Sequence, residues 1–175
     1  MTGREGADDL ADEIAAMRSR LYRFACTLTS DREEAADLAQ EALERGIRAR
    51  DAFTPGTNLK AWLFAILHNA YANHRRSAGR FHGWAPIEDP DVERDLDRPI
   101  NPVEHEVLRR AHLHDVLRAL DALPGAYALP LRLVAIDELT YAEVADILGV
   151  PAGTVMSRVY RARRLLLRGL AEEAP

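Results

Sequence analysis

Cysteine is almost absent from this sequence, and so are long apolar runs. The 175 residues include one cysteine, Cys26, so no internal disulfide can form. Cys26 lies among Leu21, Phe24 and Leu28 in the sequence, which predicts a small buried core residue. No apolar stretch approaches the roughly 20 residues that span a bilayer, and the first nine residues are polar and acidic. We therefore expect a cytoplasmic protein without membrane insertion.

The sequence also lacks the motifs of common enzyme sites. It has no glycine-rich phosphate loop and no serine or cysteine in a recognisable nucleophile motif. His105, His112 and His114 have no cysteines nearby, which makes them a poor ligand set for a metal. We expect no catalytic residue, no metal and no cofactor, so the chain is not predicted to be an enzyme.

Acidic residues are missing from two segments of a chain that is acidic overall. The formal net charge is −5, yet residues 53–87 contain no aspartate or glutamate and carry Lys60, Arg75, Arg76 and Arg80. Residues 153–170 also lack acids and contain arginines at positions 158, 161, 163, 164 and 168. Two basic segments in an acidic chain favour local contacts with phosphates.

Apolar periodicity predicts an all-α fold that begins with a bundle of three to four helices over residues 8–77. One apolar stripe extends from Leu10 to Leu28 in steps of three and four, which predicts a single helix. A second helix is expected to begin at Ser30, which forms a capping-box pattern with Glu33. Thr57 or Asn58 is expected to cap a third helix. The predicted inward residues of that helix are Trp62, Leu63, Ile66, Leu67 and Ala70.

Residues 78–102 are predicted to be a flexible linker, because periodicity disappears there while prolines and acids accumulate. A second helical domain is predicted over residues 103–172. Its first helix is expected to start at the Asn101 and Pro102 cap and to extend to Pro124. Pro130 lies within the next helix and is expected to kink or shorten it.

The end of the chain has the pattern of a helix-turn-helix. Thr140 and Glu143 form a capping box, and Gly149 stands where a helix ends in the left-handed conformation. The following helix is expected to present Thr154, Ser157, Arg158, Arg161 and Arg164 outward. In a major groove, its first residues would meet base edges and its later arginines would meet phosphates.

The first basic segment predicts a second nucleic-acid surface. It combines a turn-rich loop at residues 53–58 with a helix on which Asn69, Asn73 and Arg76 share one face. Amides read base edges, loop pockets hold unstacked bases and arginines hold phosphates, so this surface could grip a partly opened duplex. Trp62 and Phe64 are interpreted as core residues.

These motifs, in this order, resemble the extracytoplasmic-function (ECF) sigma factors, the RNA polymerase specificity subunits of the sigma-70 family. Residues 21–25 and 36–42 are similar to the family segment that docks on the clamp coiled coil of the polymerase. Residues 57–69 are similar to the segment that melts promoters and reads the minus-ten element, and residues 139–145 and 149–158 to the helix-turn-helix that reads the minus-thirty-five element. The resemblance implies a sigma-two domain and a sigma-four domain.

The same resemblance implies site residues and partners. The implied polymerase-binding residues are Asp37, Leu38, Gln40 and Glu41. The implied minus-ten residues are Thr57, Asn58, Lys60, Asn69, Asn73, Arg75 and Arg76, with the 53–58 loop capturing a flipped base. The implied partners are the clamp coiled coil and the flap of core RNA polymerase, promoter DNA of a stress-responsive set, and an anti-sigma factor, with the free chain monomeric.

Three positions depart from the family pattern. Ala36 stands where many relatives carry glutamate, Asn73 where aspartate is common, and Glu138 where glycine is common. Two other functions remain open at this point. A decoy that binds only an anti-sigma factor would be expected to lack the arginines of the reading helix. A dimeric helix-turn-helix repressor would leave the 53–76 segment unexplained.

Overall fold

The computed structural model describes residues 2–77 and 113–172. Within these ranges the backbone forms α-helices and one short 3-10 turn without β-strands, which confirms the all-α prediction. The first four helices form one compact unit, to which Asp146–Leu148 also belong, and the rest of residues 113–172 form the second. The predicted linker at 78–102, and the predicted helix start at Asn101 and Pro102, lie outside the described residues. None of the described helices is both long and apolar enough to cross a bilayer.

The first unit contains α1 (Thr2–Ala16), α2 (Arg18–Leu28), α3 (Arg32–Arg48), a 3-10 turn (Arg50–Ala52) and α4 (Leu59–Ser77). Helices α2, α3 and α4 pack against one another, and α1 packs mainly against α3. The rings of Phe24 and Phe64 stack at the centre of this bundle, with centroids 4.4 Å apart. Phe64 is fully buried, as predicted. Other fully buried side chains of the unit are Ile14, Leu21, Leu38, Leu63 and Leu67.

The first apolar stripe belongs to two helices, so the prediction of one continuous helix is wrong. The break is at Met17, whose amide donates to the carbonyl of Ile14 over 3.0 Å and whose carbonyl accepts from the amide of Arg20. These three-residue bonds tighten one turn, while Met17 keeps a right-handed backbone with φ −76° and ψ −5°. The stripe therefore stays in register across the break, and periodicity alone gives no sign of it.

The cap of α3 is Asp31 rather than the predicted Ser30. The Asp31 carboxylate accepts hydrogen bonds from the amides of Glu33 and Glu34 at 2.9 and 3.3 Å. The positive end of the helix dipole also stabilises a carboxylate at this position. The Thr29 hydroxyl donates to Glu34. Hydrogen bonds of both Thr29 and Asp31 therefore hold the connection between α2 and α3.

Cys26 is exposed on α2, so the prediction of a buried cysteine is wrong. Cys26 is two residues from Phe24 and two from Leu28, which turns it about 200° away from each on a helix with 3.6 residues per turn. Apolar neighbours in the sequence therefore lie on the opposite side of the helix.

Gly46 allows α3 and α4 to approach closely. A Cβ atom at this position would lie 2.6 Å from Cδ2 of Leu63, which is fully buried on α4. This helix pair thus depends on the absence of a side chain at position 46, and the contact sets the position of α4 on the bundle.

The second unit contains α5 (Leu113–Asp121), α6 (Gly125–Ala135), the first five residues of α7 (Tyr141–Leu148) and α8 (Ala152–Glu172). Helix α8 packs against α6 and, less extensively, against α5. Buried residues on α8 recur at Val155, Val159 and Ala162, as the sequence predicts.

Pro130 neither ends nor shortens α6, which continues through it to Ala135. Its side chain is fully buried. Proline has no amide hydrogen, so the Ala126 carbonyl one turn earlier loses its helical donor. Burial of the pyrrolidine ring in the core offsets part of that loss.

The helix-turn-helix signals are confirmed. The Thr140 hydroxyl accepts from the Glu143 amide at 3.2 Å, and the Glu143 carboxylate accepts from the Thr140 amide at 2.7 Å. Gly149 ends α7 with φ +65°. Glu138 also has a positive φ, of +56°. A glutamate in this region is strained, whereas a glycine would adopt the same backbone without strain.

Candidate nucleic-acid and polymerase interfaces

The loop before α4 is held by its own hydrogen bonds. Asn58 caps the helix, since its side-chain oxygen accepts from the amides of Lys60 and Ala61 at 3.1 and 3.3 Å. The Thr57 hydroxyl donates to the Thr54 carbonyl at 2.7 Å. Gly56 has φ +87°, a conformation that glycine adopts without strain. Thr57 and Asn58 are both exposed at the tip of a preshaped loop.

Phe53 fixes the start of this loop to α4. Its ring lies 5.3 Å from that of Trp62 in a tilted arrangement, and both side chains are half-buried. Trp62 was predicted as core, and it has instead one side on the bundle and one side open. The loop is therefore anchored on the helix that carries the polar residues described next.

Asn69, Asn73 and Arg76 are all exposed, and the prediction that they share one face of α4 is confirmed. We call these three residues the α4 face. Ile66 and Trp62 lie on the same side of the helix, about one and two turns before Asn69, and are half-buried. The loop and the α4 face thus form one surface, with amides and a guanidinium beside apolar rings and methyl groups.

The other predicted basic residues of α4 lie elsewhere. The Arg75 guanidinium lies over the ring of Tyr71, 5.7 Å from its centroid, and Arg75 is half-buried. Lys60 is half-buried in the first turn. His68 is buried, and this burial lowers its pKa to about 4. His68 is therefore uncharged at neutral pH and is not a phosphate contact.

The outer side of α3 carries the predicted polymerase-binding residues. Asp37 and Gln40 are exposed and Glu41 is half-buried; we call these three the α3 face. Leu38 is fully buried, so it cannot contact the polymerase directly, and that part of the prediction is wrong. Leu38 lies on the inward side with Ala42, where it holds the helix on the bundle.

Ion pairs order the acidic side of α3. Glu41 bonds Arg45 at 2.5 Å and the Nε2 atom of His74 on α4 at 3.1 Å. Glu44 bonds Arg48 at 2.8 Å, and it also accepts from the Gln40 amide at 3.1 Å. Asp37 takes part in none of these pairs among the described residues, which leaves its carboxylate available to a partner.

On α8, Arg158 is buried with 3% of its surface exposed, so the prediction that it points outward is wrong. Arg158 is three residues after Val155 and four before Ala162, which places it at the edge of the apolar stripe. Burial lowers its pKa, and Tyr127 on α6 acts in the opposite direction. Arg158 therefore belongs to the packing of the second unit and not to its outer surface.

The remaining predicted residues of α8 differ in how much of each side chain is exposed to solvent. The Arg161 guanidinium lies over the Tyr127 ring at 5.8 Å, and that of Arg164 over the Tyr160 ring at 6.0 Å. Arg164 is exposed, whereas Arg161 is half-buried. Thr154 and Ser157 are half-buried in the first two turns, and the Ser157 hydroxyl donates to the Thr154 carbonyl at 3.0 Å.

Three residues on the outer side of α8 were missed from the sequence. Met156 is 46% exposed, Arg163 is exposed and Tyr160 is half-exposed. The available signal was the buried stripe at 155, 159 and 162, because residues 156, 160 and 163 follow it by one position each. We define the α8 face as Met156, Ser157, Tyr160, Arg163 and Arg164.

Comparison with known proteins gives matches in both units. Residues 13–81 match Sigma-70 region 2, and residues 113–166 match Sigma-70, region 4. The ECF RNA polymerase sigma factor EcfG of Rhodopseudomonas palustris is 37% identical over 161 residues, which cover 91% of this chain and 83% of the relative. SigE of Mycolicibacterium smegmatis is 33% identical over 99% of this chain and 66% of the relative.

A solved structure is similar over nearly the whole chain. It is the sigma factor RpoE in complex with the anti-sigma factor NepR from Bartonella quintana. The match has a TM-score of 0.66 at 30% sequence identity, and it covers 95% of this chain and 99% of the other.

Proposed function

Because the chain belongs to the ECF sigma factors of the sigma-70 family, we propose that it directs core RNA polymerase to promoters through two DNA surfaces, one on each unit. The observation that carries the proposal is a pair of basic helices, α4, which has no acid, and α8, whose one acid is its last residue Glu172; each presents polar and basic side chains outward from a packed core. The first unit corresponds to a sigma-two domain and the second to a sigma-four domain. The chain itself catalyses no reaction and acts in the cytoplasm with the polymerase.

The minus-ten element is assigned to the first unit. The preshaped 53–58 loop beside Trp62 suits a base that has left the duplex, because an aromatic wall offers stacking. Asn69 and Asn73 supply amides for base edges, and Arg76 supplies a charge for phosphate. Arg75 is held over Tyr71 and Lys60 is half-buried, so we assign both to phosphates at the margin of this surface.

The minus-thirty-five element is assigned to the α8 face together with Thr154 and Arg161. Thr154, Met156 and Ser157 belong to the first two turns, which reach base edges when a recognition helix enters the major groove. Arg161 and Arg164 are oriented by tyrosine rings and are assigned to phosphates. Arg158 supports the helix from within.

Polymerase docking is assigned to the α3 face, with the clamp coiled coil as its partner and the flap as a partner of the second unit. Asp37 and Gln40 are exposed, and Glu41 is oriented by Arg45 and His74. Ion pairs that hold a carboxylate in place reduce the conformational entropy lost on binding.

An anti-sigma factor is proposed as the regulator, because the similar solved structure is a sigma factor in complex with one. By this proposal the anti-sigma factor covers the polymerase and DNA surfaces of a monomeric chain. Affinity purification from the native host should recover such a partner, and its absence would count against this regulation.

Run-off transcription with purified core polymerase, on promoters from the host genome, tests the proposal. Asn69→Ala and Arg164→Ala should each weaken promoter-dependent transcripts. Asp12→Ala and Arg118→Ala are controls, since Asp12 lies on α1 and Arg118 pairs with Asp115 on α5 at 3.2 Å. No transcript from the wild type, despite tight binding to an anti-sigma factor, would indicate a decoy. A dimer that binds duplex DNA without polymerase would indicate a repressor.

A further inference from the structure

Helix α2 carries three arginines that belong to neither DNA surface, and only Arg23 lies within a motif, the 21–25 segment that resembles the clamp-docking segment. Arg18, Arg20 and Arg23 are exposed, and the helix, Arg18–Leu28, contains no acidic residue. We call these three residues the α2 arginines. Two of them lie in the first turn, where the helix dipole disfavours positive charge and where no acid offsets it. Helix stability therefore does not account for the presence of Arg18 and Arg20 in this turn.

The α2 arginines have no ion-pair partner among the described residues, in contrast with Arg45 and Arg48 of α3. Arg45 and Arg48 are bonded to Glu41 and Glu44 of their own helix. Glu34, the acid at the start of α3 that faces α2, accepts instead from the Thr29 hydroxyl. Among the described residues, therefore, no carboxylate competes with an anionic partner for the α2 arginines.

The surroundings of the α2 arginines favour a nucleic acid over a protein. Leu21, Phe24 and Ala25 point into the core, and the other exposed residues of the helix are Ser19, Tyr22, Cys26 and Thr27. A protein interface usually has an apolar centre, which this surface lacks. Guanidinium groups bind phosphates through paired hydrogen bonds and lose less hydration than ammonium groups do.

Tyr22 adds an aromatic ring to this surface, with 37% of the residue exposed. Its hydroxyl contacts the side chain of Cys26, and this contact raises the pKa of Tyr22. The phenol therefore stays uncharged at neutral pH and adds no negative charge among the arginines. An uncharged exposed ring can stack on a base or pack on a sugar.

We propose that α2 is a third DNA contact, at which the α2 arginines bind promoter phosphates independently of base sequence and Tyr22 packs on an adjacent base or sugar. The inference rests on the proposed promoter-binding function. It differs from the two reading surfaces because it contributes affinity without sequence preference.

The test measures the binding of holoenzyme to promoter DNA as a function of salt concentration. Arg18→Gln/Arg20→Gln, which leaves the 21–25 segment intact, should weaken binding to every promoter by a similar factor. It should also reduce the slope of log affinity against log salt by about 1 for each phosphate that the variant no longer neutralises. Arg18→Lys/Arg20→Lys keeps the charge and should retain most of the slope. The matched control is Arg48→Gln, an exposed arginine already bonded to Glu44, which should leave the slope unchanged.

A further measurement, of core polymerase binding, separates the possible outcomes. The affinity of each variant for core polymerase in the absence of DNA should equal that of the wild type. A loss of core affinity with an unchanged salt slope would show a protein-docking surface and overturn the proposal, as would no change in either quantity. If the wild-type holoenzyme forms no promoter complex, the proposed function itself fails.

The form of DNA that is contacted follows from a comparison of fully paired promoters with promoters opened in advance. A reduced slope on both templates assigns the phosphates to duplex DNA. A reduced slope on the opened template alone assigns them to a separated strand. Either result supports the third contact.

Discussion

Helix α4 and residues 153–170 of α8 both lack acids and both carry arginines, yet the two helices expose their charges differently. On α4 the polar residues Asn69, Asn73 and Arg76 are all exposed. On α8 the arginines extend from buried Arg158, through Arg161 on the Tyr127 ring, to exposed Arg164. A basic segment therefore does not specify how many of its charges reach the surface. The helical position of each arginine relative to the apolar stripe decides that.

The largest effect should come from Arg158→Ala, which separates packing from DNA binding on α8. We expect a loss of about 2 kcal/mol or more in the unfolding free energy, because a buried long side chain is removed from the core. Chemical denaturation measures this loss. Arg164→Ala is the paired variant and should weaken promoter binding without a change in stability. If Arg158→Ala left stability intact and weakened only DNA binding, the assignment of Arg158 to packing would be wrong.

Asn69→Ala probes the opposite situation on α4, an exposed side chain with no part in the core. If it reads a base edge, its loss should weaken promoter complexes by about 1–3 kcal/mol, up to roughly a hundredfold in affinity. Open-complex formation on promoters with single substitutions in the minus-ten element measures this. The melting temperature should not change. An equal loss on every promoter sequence would instead assign Asn69 to the DNA backbone.

Thr140→Ala should have an intermediate effect on stability. It tests the cap of α7, the helix that precedes α8. The variant loses one half of the capping box at the start of α7, which should cost about 1 kcal/mol of stability. Denaturation midpoints measure the cost, and Thr140→Ser should recover most of it. Equal stability of the Ala and Ser variants would show that the cap contributes little here.

The smallest effect should come from Glu138→Gly, and it should be stabilising. Relief of the positive φ is worth about 1 kcal/mol, and part of this is offset by the greater freedom of glycine in the unfolded chain. Glu138→Ala keeps the strain and serves as the control. A glycine variant no more stable than the alanine variant would show that position 138 stores no strain.

Local signals predicted the helix-turn-helix well. The Thr140 and Glu143 pair, Gly149 and the stripe at Val155, Val159 and Ala162 each specify their own geometry through contacts a few residues apart. The exposed face of α4 was predicted for the same reason, since spacing along one helix determines which residues align.

The errors arose where a distant residue or a small backbone change decided the outcome. Met17 breaks the first helix without shifting its stripe, so periodicity cannot register the break. Arg158 is buried beside Tyr127, about thirty residues away in sequence. Pro130 is accommodated within α6 because its ring is buried in the core. The helix propensity of proline does not include such a tertiary contact. Each of these depends on tertiary packing.

The Asn58 side chain caps α4 and is also proposed to contact an unpaired base. Its oxygen is already committed to the amides of Lys60 and Ala61, so only its NH₂ group remains for other partners. In the loop it therefore behaves as a donor without an acceptor. It is complementary to ring nitrogens and carbonyl oxygens of bases and indifferent to their amino groups. Because Asn58 must also cap α4, it can recognise an unpaired nucleotide only by donating hydrogen bonds.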